Sequence, residues 1–278
     1  PSWKTYWRAP GDAGIPPSFN WGGSENVKSV QYHWPRPSVF ELNGMKTVGY
    51  HDQLILPIEV VAIDPQQPVR LRASVDMGVC ADICIPATLA VDLTLDGAGA
   101  PDALIEAALA NQPMTAAQAG LADIACAIDP IDDGLRVTAT MDIPQLGPSE
   151  TVIFESGVAG VWVSEATADR SGGLLVAASD MVPPHGAPFA LDRSGVVLTL
   201  ISEDRAVEVG AHGHAVVGTL LFLRGDFLAH AGVDVRLADI LPAVGDGMHQ
   251  STPIFSRFAS SQTFRSASLI HSVLLSLA

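Results

Sequence analysis

The sequence predicts a mainly β protein made of two tandem β-sandwich units that a short helix joins. Three observations lead to this fold class. A chain of 278 residues is long enough for about two domains. Apolar residues make up 48% of it, which is enough for sizeable cores. The 20 prolines and 25 glycines separate short apolar runs, a pattern typical of many short strands and turns.

The first predicted unit spans residues 1–97 and holds three strand candidates, at 53–62, 69–75 and 88–95. The last two alternate between apolar and polar residues, as strands with one buried face do. Glycine and proline between residues 8 and 17 favour a rigid loop there. We expect the tryptophans of this unit to pack in or around its core. They are Trp3, Trp7, Trp21 and Trp34.

A connector at 98–118 follows, and a short helix is predicted over 102–111. Pro101 lies near its first turn and Pro113 ends it. The second predicted unit spans 119–232, where turn residues separate strand candidates at intervals suited to a sandwich. These candidates are 135–141, 151–154, 161–163, 174–178, 196–201 and 215–223. The last segment, 233–278, is a tail for which the sequence predicts no clear structure.

Composition excludes several functional classes. A net charge of −15 repels nucleic acid, so no nucleic-acid partner is expected. Three cysteines are too few for a disulfide-stapled mini-protein or a four-cysteine zinc site. No motif for a phosphate loop or a serine triad is present, and no cofactor is expected. Because the chain opens with Pro1 instead of methionine, we expect a mature or truncated piece of a protein.

The most informative feature is a pair of cysteines, Cys80 and Cys84, with three residues between them and strand-like runs on either side. On one straight strand their Cα atoms would lie ~13 Å apart, whereas a disulfide needs roughly 4.4–6.8 Å. If they bridge, the chain must therefore turn between them, and a tight β-hairpin is the favoured arrangement. A bridge that closes so short a loop stabilises the fold little, which favours a redox couple over a structural staple. Half of a metal site and a pair of buried bystanders stay open as alternatives.

Other candidate residues are less informative. Cys126 lies in an apolar stretch and is interpreted as a buried free cysteine. His212 and His214 could bind a metal, although two histidines in a solvated turn are the simpler interpretation. No metal site is therefore predicted.

Three segments together resemble one protein family. They are residues 3–14 (WKTYWRAPGDAG), 48–50 (VGY) and 78–86 (GVCADICIP). They resemble the periplasmic amino-terminal region of DsbD/ScsB-type thiol:disulfide interchange proteins, and the ScsB-like branch in particular. The resemblance is clear over about residues 1–96, and a looser one continues through the second unit, including 203–209 (EDRAVEV).

The resemblance implies an immunoglobulin-like sandwich that carries a redox cysteine pair, Cys80 and Cys84, in a protein-disulfide reductase. It implies a periplasmic location, with the full-length protein anchored in the inner membrane. Electrons would come from a membrane-embedded reductase hub, absent from this chain. They would pass to thioredoxin-like periplasmic proteins, among them disulfide isomerases, cytochrome c biogenesis partners and proteins of copper tolerance. Cys84 is expected to form the mixed disulfides, and Tyr50 and His51, placed in a loop after Gly49, could cover the pair.

Two functions from other classes remain as alternatives. One is a non-catalytic β-sandwich interaction module in which the cysteine pair forms a structural disulfide. The other is a copper-related metal-binding periplasmic protein that uses the cysteines with nearby histidines.

Overall fold

Strands dominate the chain, as the sequence predicts. The computed structural model describes residues 3–42, 44–81, 83–96, 101–184, 190–210, 230–235, 257–259 and 270–277. Over these residues the fold is mainly β, with sheets that pack as immunoglobulin-like sandwiches, and the predicted fold class is confirmed. Among the described residues, no helix is long and apolar enough to cross a bilayer.

The first unit holds eight strands. They are β1 (Lys4–Tyr6), β2 (Ser18–Asn20), β3 (Val27–Tyr32), β4 (Ser38–Leu42), β5 (Met45–His51), β6 (Leu54–Ala62), β7 (Val69–Cys80) and β8 (Cys84–Leu95). One sheet has the order β2-β7-β1-β5-β4, with β8 also paired to β7. The facing sheet contains β3 and β6. The short strand β1 therefore lies between β7 and β5, both antiparallel to it.

Alternation along β7 sorts its side chains between two faces. Val69, Leu71, Val75, Met77 and Val79 are all buried in the core. Residues at the intervening positions, Gly78 and Cys80 among them, lie on the opposite face of the sheet. Trp7 and Trp34 are buried in the same core, and Trp3 and Trp21 pack against it, so the predicted packing role of the tryptophans is confirmed.

The predicted helix is present as α1 (Ala103–Ala110). It begins where the Asp102 carboxylate accepts hydrogen bonds from the backbone amides of Leu104 and Ile105, which would otherwise lack partners. It ends at Asn111, two residues before Pro113. Ile105 and Ala108 bury one face of the helix, which packs against β6.

The second unit holds nine strands in two sheets. They are β9 (Met114–Thr115), β10 (Asp123–Ile131), β11 (Gly134–Asp142), β12 (Thr151–Glu155), β13 (Trp162–Val163), β14 (Thr167–Ser171), β15 (Leu174–Val182), β16 (Val197–Ile201) and β17 (Ala206–Gly210). One sheet has the order β10-β11-β15-β13, with β14 on β15, and the other has the order β12-β16-β17-β9. A separate hydrophobic core lies between them, with Met141, Phe154 and Leu198 among its buried residues.

Five of the six strands predicted in this unit overlap observed strands, and the sixth, 215–223, lies outside the described residues. Four strands, β9, β10, β14 and β17, were not predicted. In β10 only Ile124 is buried, and Asp129 and Pro130 interrupt the apolar pattern, so the strand lacks the alternation that would have revealed it.

Three strands lie in the described residues that follow position 229. They are β18 (His230–Val235), β19 (Arg257–Ala259) and β20 (Ile270–Leu277). β20 pairs with β6 of the first unit, β18 pairs parallel to β20, and β19 pairs antiparallel to β18. The segment predicted as a tail thus contributes strands to a sheet that the first unit begins.

Polar contacts join the two units. The Arg8 guanidinium binds both carboxylate oxygens of Glu155 with two 2.9 Å hydrogen bonds, and it also binds Glu208. It lies over the Trp7 ring, 4.4 Å from the ring centroid. Lys46 binds Glu165 at 2.9 Å. Because Arg8 follows the buried Trp7 directly, these contacts connect the core of the first unit to β12 and β17 of the second.

Candidate redox site

The cysteine pair closes the β7–β8 hairpin. Cys80 and Cys84 are directly opposed in the antiparallel ladder, and their Cα atoms lie 4.0 Å apart. The amide of Ala81 donates to the carbonyl of Ile83 at 3.0 Å across the turn. Directly opposed residues bring their Cβ atoms within reach of a sulfur–sulfur bond, and the two cysteines form a disulfide. The predicted hairpin, with one cysteine on each side of its turn, is therefore present.

The two cysteines differ in their access to solvent. Cys80 is only 1% exposed, whereas Cys84 is exposed at the start of β8. Ile83, which precedes Cys84 in the turn, is 68% exposed. An incoming thiolate therefore has access to one cysteine of the disulfide and meets protein around the other.

Tyr6 places a hydroxyl group on the exposed cysteine. Its O–H donates to the Cys84 Sγ at 3.4 Å, since a disulfide sulfur has no hydrogen to give. β1 is tied to β7 beside it by the Thr5 hydroxyl, which donates to the Gly78 carbonyl at 3.0 Å. Tyr6 is 2% exposed, and burial raises the pKa of its phenol above the ordinary value. The hydroxyl therefore stays protonated, and able to donate, at neutral pH.

Gly78 leaves room for a cover over this part of β7. A Cβ at Gly78 would lie 3.0 Å from the Ile15 Cβ and 3.3 Å from the Tyr6 Cε2. The missing side chain thus lets Ile15 and Tyr6 pack against the strand two residues from Cys80. The loop that carries Ile15 is anchored on β5, because the Val48 amide donates to the Pro10 carbonyl at 2.9 Å.

Lys4 is the cross-strand neighbour of Cys80 in β1. Directly opposed residues point to the same face, so a cationic side chain shares the face of the cysteine pair. Its ammonium lies 5.7 Å from the Phe40 ring centroid. Phe40 belongs to β4, which β5 separates from β1, so the ammonium extends away from β7 and Cys80.

The structure places Tyr50 and His51 differently from the prediction. Both lie in β5, so their placement in a loop is wrong. The loop was inferred from Gly49, but this glycine has another role. A Cβ added there would lie 2.1 Å from the Thr5 carbonyl oxygen, so its absence lets β1 lie close to β5. The Tyr50 ring stacks beside Trp34 in the core, and its hydroxyl donates to the Pro35 carbonyl at 2.8 Å. Tyr50 is therefore packed in the core instead of over the cysteines.

His51 lies elsewhere on the sheet. It is exposed and contacts Phe40 edge-on, with 4.3 Å between ring centroids, and it pairs with Lys4 across the strands. A cover role for His51 stays a prediction. The residues that do contact Cys84 and Gly78, Tyr6 and Ile15, were not singled out from the sequence, although Tyr6 stands in the tryptophan motif.

The other candidate ligands give no metal centre in the part of the chain that the structure describes. No group of three or more His, Cys, Asp or Glu residues there could hold a metal ion. His212 and His214 lie outside the described residues. Cys126 is a free, half-buried cysteine in β10. Burial raises the pKa of its thiol, and the charge of Arg193 partly offsets this rise.

Comparisons with known proteins show what the chain is similar to. Residues 1–95 match the family model described as the thiol:disulfide interchange protein DsbD, N-terminal, so the resemblance predicted from the tryptophan and cysteine motifs is confirmed for this region. None of the curated proteins compared matches the chain. Among solved structures, the chain is similar to the N-terminal periplasmic domain of ScsB from Proteus mirabilis. That match has 23% identity and a TM-score of 0.55, and it covers 76% of this chain and 83% of that one. At this identity the likeness shows a shared fold.

Proposed function

We propose that this protein is a periplasmic protein-disulfide reductase that exchanges thiols and disulfides through Cys80 and Cys84. It takes two electrons from a membrane-embedded reductase hub outside these 278 residues. It passes them to thioredoxin-like periplasmic proteins, with disulfide isomerases, cytochrome c maturation proteins and copper-stress proteins as candidate recipients. The observation that carries the proposal is the asymmetric pair, in which a buried Cys80 is bonded to an exposed Cys84 across a tight turn.

Reduction of the protein begins at the exposed cysteine. A donor thiolate attacks the Cys84 Sγ, the bond to Cys80 breaks, and Cys80 leaves as a thiolate that takes up a proton. The second thiol of the donor then attacks the mixed disulfide and releases Cys84 as a thiol. The donor has become a disulfide, and two electrons and two protons have been transferred.

Delivery to a recipient reverses these steps. The Cys84 thiolate attacks the recipient's disulfide and forms a mixed disulfide, and one recipient sulfur leaves. Cys80 then attacks the Cys84 Sγ, which restores the intramolecular disulfide and releases the reduced recipient. The hairpin register supports this assignment, since it keeps Cys80 directly opposite Cys84.

The Tyr6 hydroxyl supports catalysis at Cys84. A hydrogen bond to a thiolate is charge-assisted and stronger than one to a neutral sulfur. The O–H that now contacts the Cys84 Sγ would therefore stabilise the thiolate more than the disulfide. Because burial raises the pKa of Tyr6, this donor is kept throughout the neutral range.

A purely structural role for the disulfide has less support. The bond closes a loop between residues only four apart, and stabilisation by a disulfide falls as its loop shortens. The backbone ladder already closes this loop, because all pairs from Val69 with Leu95 to Cys80 with Cys84 are in register. An exposed cysteine also makes a disulfide more open to exchange.

Trapping of mixed disulfides tests the proposed roles. The Cys80→Ser variant is incubated with a thioredoxin that keeps only its attacking cysteine, activated as a mixed disulfide with thionitrobenzoate, and run on non-reducing gels. The Cys84 thiolate is expected to displace thionitrobenzoate and form a covalent complex that does not resolve, because no second thiol lies beside the new disulfide. The Cys84→Ser variant is expected to form none, and Cys126→Ser is the matched control that behaves as the wild type. Trapping by Cys84→Ser alone would reverse the assignment. A reduction potential of the pair below about −300 mV would instead indicate an inert structural bridge.

We further propose the domain division on which this function rests. A redox domain spans residues 1–97, a helical connector 98–118 and a second sandwich 119–232, followed by the segment 233–278. Two hydrophobic clusters support the division. The first also includes Ile201 and Ala206 of β16 and β17, so apolar packing joins the domains together with Arg8.

A further inference from the structure

We propose that Ile83 and Ile15 determine specificity: they select a protein whose reactive cysteine is surrounded by apolar side chains, in preference to a small anionic thiol. The proposal rests on the exchange function proposed above and names the surface by which a partner is chosen. We call these two side chains the isoleucine pair.

Ile83 occupies a position where folding alone gives no reason for an isoleucine. It lies in the turn between the cysteines and is 68% exposed. Tight turns favour glycine, asparagine, aspartate and serine, which suit the backbone and solvent. A β-branched apolar side chain that is two-thirds exposed adds little to the core, and its apolar surface leaves water only when something docks on it.

Ile15 provides a second exposed apolar side chain near the cysteine pair. It is 45% exposed, and its Cβ lies 3.0 Å from the position that a Gly78 Cβ would occupy. The buried Tyr6 contacts the same position at 3.3 Å and reaches the Cys84 Sγ with its hydroxyl. Contacts thus run from the Gly78 position through Tyr6 to Cys84, which Ile83 precedes directly in the chain.

The closeness of these side chains to Cys84 decides which partner surface can approach the Cys84 Sγ. A sulfur that bonds to the Cys84 Sγ must come within about 2 Å of it. The atoms around that sulfur are then pressed against the isoleucine pair. A partner with apolar side chains around its cysteine removes this surface from water, whereas a polar partner leaves its own groups poorly solvated.

The charge of the chain argues against a small anionic thiol. The protein carries a formal net charge of −15, and residues 1–96, with ten acids against seven bases, are themselves net negative, so an anion such as glutathione gains no attraction on approach. A tripeptide thiol also has little apolar surface with which to cover the isoleucine pair. The geometry thus points to a folded protein as the exchange partner.

The test compares rates with a protein and with a small molecule. Reduction of the Cys80–Cys84 disulfide by reduced thioredoxin and by dithiothreitol is followed by acid quenching and thiol alkylation. Ile83→Ser combined with Ile15→Ser is expected to lower the second-order rate constant for thioredoxin about tenfold. The rate with dithiothreitol should stay within about twofold, because a small neutral dithiol needs no docking surface. Ile83→Leu should restore most of the rate that Ile83→Ser loses.

Ile63→Ser is the matched control. Ile63 is 67% exposed, and its amide donates to the Asn26 carbonyl. The Asn26 side chain binds the Pro68 carbonyl, at the opposite end of β7 from Cys80. This variant should react like the wild type with both reductants. Thermal unfolding of all variants checks that these exposed positions leave the fold intact.

The outcomes separate the two proposals. An unchanged thioredoxin rate in the double variant would overturn the isoleucine selection and leave the exchange function standing. An equal fall in the rate constants for both reductants would also overturn it, because the substitutions would then have changed the reactivity of the disulfide itself. A wild-type disulfide that dithiothreitol reduces and thioredoxin does not would overturn both proposals.

Discussion

Two long hairpins, one in each unit, both carry cysteine, and only one of them forms a disulfide. The β7–β8 hairpin places Cys80 and Cys84 at its closing pair, next to a turn with an exposed isoleucine. The β10–β11 hairpin places Cys126 in mid-strand opposite Ala139, and its turn is made of Asp132 and Asp133, both exposed. The comparison teaches that a hairpin disulfide needs a second cysteine directly opposite the first, which Cys126 lacks, and that the position of a cysteine along a hairpin sets its exposure.

The difference has a simple physical origin. At a closing pair one cysteine can be buried against the sheet while the other emerges into solvent with the turn. In mid-strand both neighbours of a cysteine are held in the ladder, and its thiol stays half-buried, with its pKa raised by burial. The following predictions test this contrast, from the largest expected effect to the smallest.

Removal of the exposed sulfur should have the largest effect. Cys84→Ser is expected to abolish exchange with thioredoxin, a loss of at least about a thousandfold, because no other exposed sulfur of the pair can form the mixed disulfide. The measurement is the rate of thiol transfer under pseudo-first-order conditions. Cys126→Ser serves as control and should keep the full rate. Residual exchange in Cys84→Ser comparable to the wild type would contradict the proposed role.

A second cysteine opposite Cys126 would test whether position alone decides reactivity. Ala139→Cys creates a directly opposed pair in β10 and β11 that can be oxidised to a disulfide. Since Ala139 is fully buried, this disulfide should react with thioredoxin at least about a hundredfold more slowly than Cys80–Cys84. Differential alkylation and mass spectrometry would follow each pair separately in one protein. Equal rates for the two pairs would show that burial does not control exchange here.

Loss of one hydroxyl should have a moderate effect. Tyr6→Phe keeps the ring against Gly78 and removes the donor to the Cys84 Sγ. We expect the pKa of the Cys84 thiol in the reduced protein to rise and its attack on a disulfide to slow about three- to tenfold. The pH dependence of Cys84 alkylation measures both quantities. A control is Tyr32→Phe, whose hydroxyl accepts a hydrogen bond from Trp21 far from the cysteines in the chain. If the pH dependence of Cys84 alkylation is unchanged in Tyr6→Phe, the Tyr6 hydroxyl does not stabilise the Cys84 thiolate.

The smallest effect concerns the thiol of Cys126. Only the thiolate is nucleophilic, and burial raises the pKa of this thiol, so at neutral pH a smaller fraction ionises than in a free cysteine. Alkylation by iodoacetamide should therefore be several-fold slower than for a denatured control, and its rate should still be rising at pH 9. Arg193→Gln should slow it slightly further, because the charge of Arg193 favours the thiolate. An alkylation rate that already reaches its plateau at neutral pH would contradict the argument that burial raises the pKa of the Cys126 thiol.

Local features of the fold could be predicted from the sequence. The spacing of Cys80 and Cys84 predicts the hairpin turn, because a disulfide between them requires the chain to turn. The helix follows from its flanking prolines, Pro101 and Pro113, and the structure adds Asp102 as the cap of its first amides. Both depend on residues close together in the chain, where geometry restricts the options.

Contacts between distant segments could not be predicted. Tyr6 reaches Cys84 only because β1 inserts between β5 and β7, and 78 positions separate the two residues. Gly49 and Gly78 both leave room for a packed neighbour, but a sequence does not distinguish this use of glycine from a turn. Sequence patterns therefore located the disulfide, and the pairing of β1 supplied the side chains that surround it.

The register of the β7–β8 hairpin has a consequence for electron transfer. Eleven further backbone pairs hold β7 and β8 in this register besides the pair of cysteines, so we expect Cys80 and Cys84 to stay opposed after reduction. Reduction then needs only a local separation of two sulfur atoms and the uptake of protons, with no strand displaced. Little conformational free energy is then spent in either direction of exchange. Amide hydrogen exchange along β7 and β8 should accordingly be almost the same in the oxidised and the reduced protein.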